Sequence, residues 1–208
     1  MKKNISQFNF DIVIVGVGGQ GLLTLLQILN EAALKEGYEV KSAEVHGLSQ
    51  RGGSVEVYCR FGKEIFSPLV KKGGADLIIS LEAQEALRGI HFASKETTFL
   101  INNFFIPIPG QNTPKIEEIS KILKKISPKQ SLWDATGQAK KIILVSASDI
   151  CKKEFGTDVV AGIFLLGRAI SKKLIPLKEN SITFAIKKVI PEKYLDLNIK
   201  TFKLAKTI

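Results

Sequence analysis

Two short segments carry the residue types from which chemistry could be built. Gly16-Val17-Gly18-Gly19-Gln20-Gly21 has the G-x-G-x-x-G spacing. It follows the apolar run Asp11-Ile-Val-Ile-Val15 and precedes the apolar stretch Leu22 to Lys35, so it reads as a strand, a turn and a buried helix. Glycines let the backbone turn tightly and approach a ligand, and the helix behind them aims free N–H groups and a positive dipole end at an anion. Three readings stay open from these residues alone: a tight turn with no ligand, a dinucleotide site, or a site for another anion.

The second segment, Glu44 to Ser54, holds His46, Gly47, Ser49, Gln50, Arg51, Gly52 and Gly53. Arg51 can fork two hydrogen bonds to a carboxylate or phosphate. His46 is the one candidate catalytic group, able to move a proton near neutral pH or to serve as a hydrogen-bonded structural residue. Ser49, Gln50 and Ser54 can orient a ligand or the loop itself. Glu44, 23 positions past Gly21, stands where a nicotinamide-dinucleotide enzyme places the acid for a ribose hydroxyl. The polar glycine-rich stretch that follows replaces the next crossover helix of such a fold.

These segments need a scaffold, and the apolar runs supply one. Glu39 to Val45 reads as a second strand. Ser54 to Phe61 alternates, with Val55, Val57, Cys59 and Phe61 on one face. Further strands are expected at Asp76-Leu-Ile-Ile-Ser80, Thr97 to Ile101 and Ile142 to Val145, with a helix-like stretch from Glu82 to Gly89 and a loop from Asn103 to Thr113. Three helical segments follow, at about 158–173, 178–189 and 191–206, broken at Pro176 and Pro191. The expected architecture is α/β: a mostly parallel, Rossmann-like open sheet with flanking helices, spanning about 9–146, then a helical C-terminal segment at about 147–208. One domain, 1–208, is expected.

Composition narrows the function. The apolar fraction of 45% suits a buried core and the 24% charged residues a wet surface. No apolar run approaches the length of a membrane span and the N-terminus has no apolar signal core, so a cytoplasmic protein without membrane contact is expected. The net charge of +10 is spread over lysine pairs without interleaved aromatic residues, which argues against a nucleic-acid partner. Cys59 and Cys151 lack C-x-x-C spacing, so the chain alone builds neither an iron–sulfur cluster nor a zinc site, and both thiols read as buried.

Together, Gly16 to Gly21, His46-Gly-Leu-Ser-Gln-Arg-Gly-Gly-Ser54 and the Ala75-Asp76…Glu82…Glu85-Ala-Leu-Arg88 stretch resemble the gamma-type domain of the 2-oxoacid:ferredoxin oxidoreductases. The lead-in His46-Gly-Leu-Ser-Gln before Arg51-Gly-Gly is similar to the indolepyruvate branch, in its beta subunit. The likeness extends through Gly156 to Gly167 and Asn198-Ile-Lys-Thr-Phe202, where Thr201 replaces the family's alanine, and Ala161 stands where relatives often carry asparagine.

The resemblance implies an oxidoreductase subunit, inactive alone, in a heteromeric complex that oxidatively decarboxylates a 2-oxoacid to an acyl-coenzyme A. It implies a large alpha subunit holding thiamine diphosphate, magnesium and iron–sulfur clusters, coenzyme A as co-substrate, and ferredoxin as electron acceptor. No cofactor or metal is expected on this chain by itself. It further implies that Gly16, Gly18, Gly19, Gln20, Gly21, Ser49, Gln50, Arg51, Gly52, Gly53 and Ser54 line anion-binding or active-site-facing loops. A gamma subunit acting on pyruvate or another 2-oxoacid and an NAD(P)-binding oxidoreductase are the alternatives.

Overall fold

A computed structural model describes residues 8–47, 52–107, 110, 114–125 and 141–208. The strands are β1 (Asn9–Val17), β2 (Glu39–His46), β3 (Ser54–Gly62), β4 (Leu77–Ser80), β5 (Thr98–Asn102) and β6 (Lys141–Val145). The helices are α1 (Leu22–Lys35), α2 (Ile116–Lys125), α3 (Ala147–Phe155), α4 (Ala161–Ser171), α5 (Glu179–Val189) and α6 (Glu192–Thr207). The sheet order is β2-β3-β1-β4-β5-β6. β1, β4, β5 and β6 pair in parallel, while β3 runs antiparallel to both β1 and β2. Five of the six strands therefore point the same way, as the mostly parallel expectation requires, and β3 is the reversed one. Its reversal follows from the short connection after β2, which is too short to carry the helix a parallel crossover needs.

Alternation along the central strands feeds two cores. Ile12 and Ile14 of β1, Leu77 and Ile79 of β4, and Val57, Cys59 and Phe61 of β3 face a layer made by α1, α3, α4, α5 and α6. Val55 packs against the same layer, so the alternating face read from the sequence is the buried one. Val13, Val15, Tyr58, Ile78, Phe99 and Ile101 face a thinner cover: a 3₁₀ segment, Glu85–Phe92, and α2 with its Ile119 and Leu123. The expected helix at Glu82–Gly89 is thus a later 3₁₀ segment. α2 was not expected, while α3 opens the helical segment expected at about 147–208, ahead of the three helices placed in it. The three C-terminal helices lie within a few residues of their expected bounds.

At the end of the sheet where the parallel strands begin, Arg60 on β3 grips Asp11 on β1 through two parallel bonds, Nε to Oδ1 at 2.8 Å and Nη2 to Oδ2 at 3.0 Å. Its Nη1 also donates to the carbonyls of Ser67 and Leu69, at 2.9 and 3.1 Å. This fixes the connection from β3 to β4. Among the described residues no helix is long and apolar enough to cross a membrane.

Candidate functional site

The glycine turn sits at the carboxyl end of β1 and is stitched in place by Gln20. The Gln20 Oε1 accepts the Val17 N–H at 2.8 Å, and its Nε2 donates to the Leu81 carbonyl at 3.3 Å, tying the turn to the end of β4. A Cβ at Gly16 would stand 2.8 Å from the Gln20 Oε1 and 3.1 Å from the Leu81 Cβ, so a larger residue there would push the Gln20 amide out of its bonds. Gly21 closes the turn at φ +80°, in the left-handed region, and precedes α1 as its N-cap without a side-chain cap. With no acid in its first turn, α1 presents its dipole end to this edge.

The second glycine segment reaches the same edge. The Gly18 N–H donates to the Gly53 carbonyl at 2.8 Å, continuing the β1–β3 ladder, and the Gly52 N–H lies 3.5 Å from the Gly18 carbonyl. Gly52 and Gly53 are therefore brought against Gly18, and Ser54 pairs with Val17. Ser49, Gln50 and Arg51 lie outside the described residues. His46 ends β2 at the same edge, exposed, with its Nδ1 3.3 Å from the Gly47 carbonyl and no carboxylate partner among the described residues.

Three cavities meet at Gly19. One of about 540 Å³ runs between α1, the start of α4 and the α5–α6 junction, with Leu25, Val160, Ile163, Ile190 and Asn198 in its wall. A second of about 500 Å³ lies between α1 and the ends of β2 and β3, lined by Leu22, Leu23, Glu44, His46 and Val55. A third of about 230 Å³ opens over β4 and β5, against Leu81, Asn102, Phe104, Ser148 and Asp158. The turn is thus a hub of the edge where open α/β sheets bind ligands.

Glu44 shares the second cavity with the turn, yet β3 lies between its strand and β1. In the common dinucleotide fold the acid-bearing strand adjoins β1. The insertion moves Glu44 out by one strand spacing, roughly 4.8 Å.

Polar contacts absent from the sequence reading brace this edge. Glu82, 2% exposed, accepts the N–H of Glu85 at 2.9 Å and of Ile106 at 3.2 Å, binding the loop after β4 to the loop after β5. Burial pushes its carboxyl above the usual range, against the pull of these amides. The Ser54 hydroxyl donates to the Glu85 Oε1 at 3.0 Å, and the Arg88 Nε sits between both Glu85 oxygens at 3.1 and 3.0 Å. Asn102 donates to the Leu81 carbonyl at 3.1 Å and the Ser148 Oγ at 2.8 Å, and accepts the Ser148 N–H at 3.2 Å. The signal of this pair in the sequence is limited to Asn102 closing the apolar run of β5; Ser148, in the first turn of α3, carries none.

The described residues do not fit a metal or cluster: no group of three His, Cys, Asp or Glu could hold an ion. Cys59 and Cys151 are both buried. Burial, aided by Asp11, pushes the Cys59 thiol up to about 12, and burial, aided by Asp158, pushes Cys151 up to about 11. Neither readily supplies a thiolate ligand.

A reversed strand inserted beside a glycine turn, with both glycine loops bonded at the carboxyl edge, defines a Rossmann-like α/β fold. Residues 11–208 match the family profile of pyruvate ferredoxin/flavodoxin oxidoreductase. The chain is 36% identical over 199 residues to the indolepyruvate oxidoreductase subunit IorB of Archaeoglobus fulgidus, covering 93% of this chain and 92% of that one. It is 37% identical over 202 residues to the IorB of Thermococcus kodakarensis, covering 94% and 93%. The keto/oxoacid ferredoxin oxidoreductase gamma subunit of Geobacter sulfurreducens shares the fold, with a TM-score of 0.66 and 18% identity over 95% of this chain and 96% of that one. The chain belongs to the pyruvate ferredoxin/flavodoxin oxidoreductase family.

Proposed function

We propose that this chain is the small, beta-type subunit of an indolepyruvate:ferredoxin oxidoreductase, cytoplasmic and inactive until joined to a large alpha subunit. The observation that carries the reading is the likeness to indolepyruvate oxidoreductase subunits along nearly the whole chain. In this reading the alpha subunit holds thiamine diphosphate, magnesium and the iron–sulfur clusters, coenzyme A is the co-substrate, and ferredoxin takes the electrons. Thiamine diphosphate, held there, supplies the carbanion stabilisation that decarboxylation needs.

This chain's own contribution is positioning. The amides of the Gly16–Gly21 turn that are not already bonded, as those of Val17, Gly18 and Gln20 are, and the guanidinium of Arg51 contact an anion, either a coenzyme A phosphate or a group beside the thiamine diphosphate. Ser49 and Gln50 orient that ligand. Ser54, whose hydroxyl is already given to Glu85, orients the loop instead. His46, with no carboxylate among the described residues to poise it, lines the site.

The test is co-expression with the large subunit, followed by a coenzyme A-dependent arylpyruvate assay with a viologen acceptor, beside each subunit alone. Turnover confined to the complex is expected. Turnover or nicotinamide-cofactor binding by this chain alone would overturn the reading, and a preference for pyruvate would move it to the gamma-type branch. In the complex, Arg51→Ala is expected to reduce turnover by roughly tenfold or more without lowering the melting temperature of this subunit. Wild-type turnover in that variant would remove Arg51 from the site.

A further inference from the structure

Far from the glycine loops, the connection from β3 to β4 holds its most exposed apolar side chains in a fixed frame. Ile65 and Val70 are buried anchors, while Phe66 and Leu69 between them are 83% and 54% exposed. The backbone of this stretch is clamped: the Ile65 N–H is bound by Glu39, and the carbonyls of Ser67 and Leu69 are held by Arg60. Gly73 and Ala75 then bond back to the carbonyls of His91 and Phe92. An aromatic ring presented on a pre-ordered loop loses little conformational freedom on binding, which is the property of an interface anchor.

The charge around the ring is one-sided. Lys63, Lys71 and Lys72 are exposed, against the single exposed acid Glu64 within residues 63–72. Of the neighbouring acids, Asp11 and Glu39 are engaged by Arg60 and Lys41, and Asp76, exposed four residues past Lys72, accepts the Asp11 N–H at 2.8 Å. Two copies of a chain carrying +10 would set these lysines against each other, so a second copy is disfavoured. β1 spans nine residues, so the patch lies about 30 Å from the glycine turn and is a separate surface.

We infer that Phe66 and Leu69, rimmed by Lys63, Lys71 and Lys72, dock into an apolar recess on an acidic face of the large partner subunit. This rests on the subunit reading above, and it adds a contact that the glycine-loop edge does not supply.

The experiment uses the co-expressed complex, with the small subunit tagged and washed through a salt gradient. Phe66→Ala and Lys71→Glu/Lys72→Glu are expected to lower the retained large subunit by roughly tenfold, the charge reversal losing it at lower salt than wild type. Melting of each isolated variant should match wild type, because the changed side chains are exposed. A photo-crosslinking residue at position 66 should join the large subunit.

Retention equal to wild type in both variants overturns the docking surface and leaves the subunit reading standing. If the wild-type chain retains no large subunit, the subunit reading itself fails and the docking surface falls with it. Sedimentation of the wild type with vesicles containing one-quarter anionic phosphatidylglycerol, lost in Phe66→Ala, would assign the patch to a lipid surface instead. A concentration-dependent dimer of the isolated chain, lost in the same variant, would assign it to a second copy.

Discussion

The two faces of the sheet are built by different means. One is covered by α1 and the C-terminal helices, with a deep apolar core containing Leu29, Phe164, Leu166 and Phe202. The other is covered by a 3₁₀ segment and one short helix, and there the buried Glu82 and the Glu85 network, the Tyr58 hydroxyl and the Arg60–Asp11 pair do much of the fastening. Apolar burial is non-directional and sums over many atoms. Polar fastening is directional and leaves a buried group unsatisfied when one partner is lost. The thick face should therefore resist pH and fail by cavity formation, and the thin face should respond to pH.

Several substitutions sharpen that contrast. Phe164→Ala opens a cavity in the thick face and is expected to cost about 3–5 kcal/mol in urea unfolding, a large share of the roughly 5–15 kcal/mol that holds a typical domain folded. Leu123→Ala beneath α2 should cost less, about 2–3 kcal/mol, because a short peripheral helix can settle into the space. Equal losses at the two sites would end the distinction between the faces.

Gly167→Ala probes the contact of α4 with α6. The added Cβ would stand 2.6 Å from the Ala205 Cβ and 2.8 Å from the Phe202 carbonyl, so the helices must part, at about 1–3 kcal/mol. The smallest effect is expected at Glu82. Its folded carboxyl is raised by burial, so its favourable contribution is present below its unfolded value of 4.5 and is lost as pH rises through the folded one. Glu82→Gln should flatten the rise in melting temperature on acidification over that window, by a few degrees at most on the order expected for a domain of this size. An unchanged slope would show that Glu82 does not titrate there.

Legibility in the sequence follows the same division. Strands and helices of the thick face were readable because burial on a regular element imposes a period, seen in Val55, Val57, Cys59 and Phe61 and in the apolar stripe of α1. The 3₁₀ segment begins three residues after Glu82, and its turn is set by that buried carboxylate binding the Glu85 N–H, a tertiary contact with no periodic trace. α3 begins at Ala147, directly after β6, in a stretch too polar to show a stripe. The glycine turn was placed correctly because its spacing and flanks are local. Its bond to Gly53 was not visible, since pairing across dozens of residues depends on β3 returning beside β1.

That bond has a consequence for mutational mapping. The link from the Gly18 N–H to the Gly53 carbonyl is made of main chain on both sides. An alanine scan adds a Cβ at the glycines and deletes side chains elsewhere, but it leaves both bonding groups in place, so it does not read the coupling that this bond provides. Only chemistry on the chain itself, such as an ester in place of the Gly18 amide made by semisynthesis, removes the donor while keeping every side chain. A silent scan across this edge would therefore say little about how tightly the two loops move together.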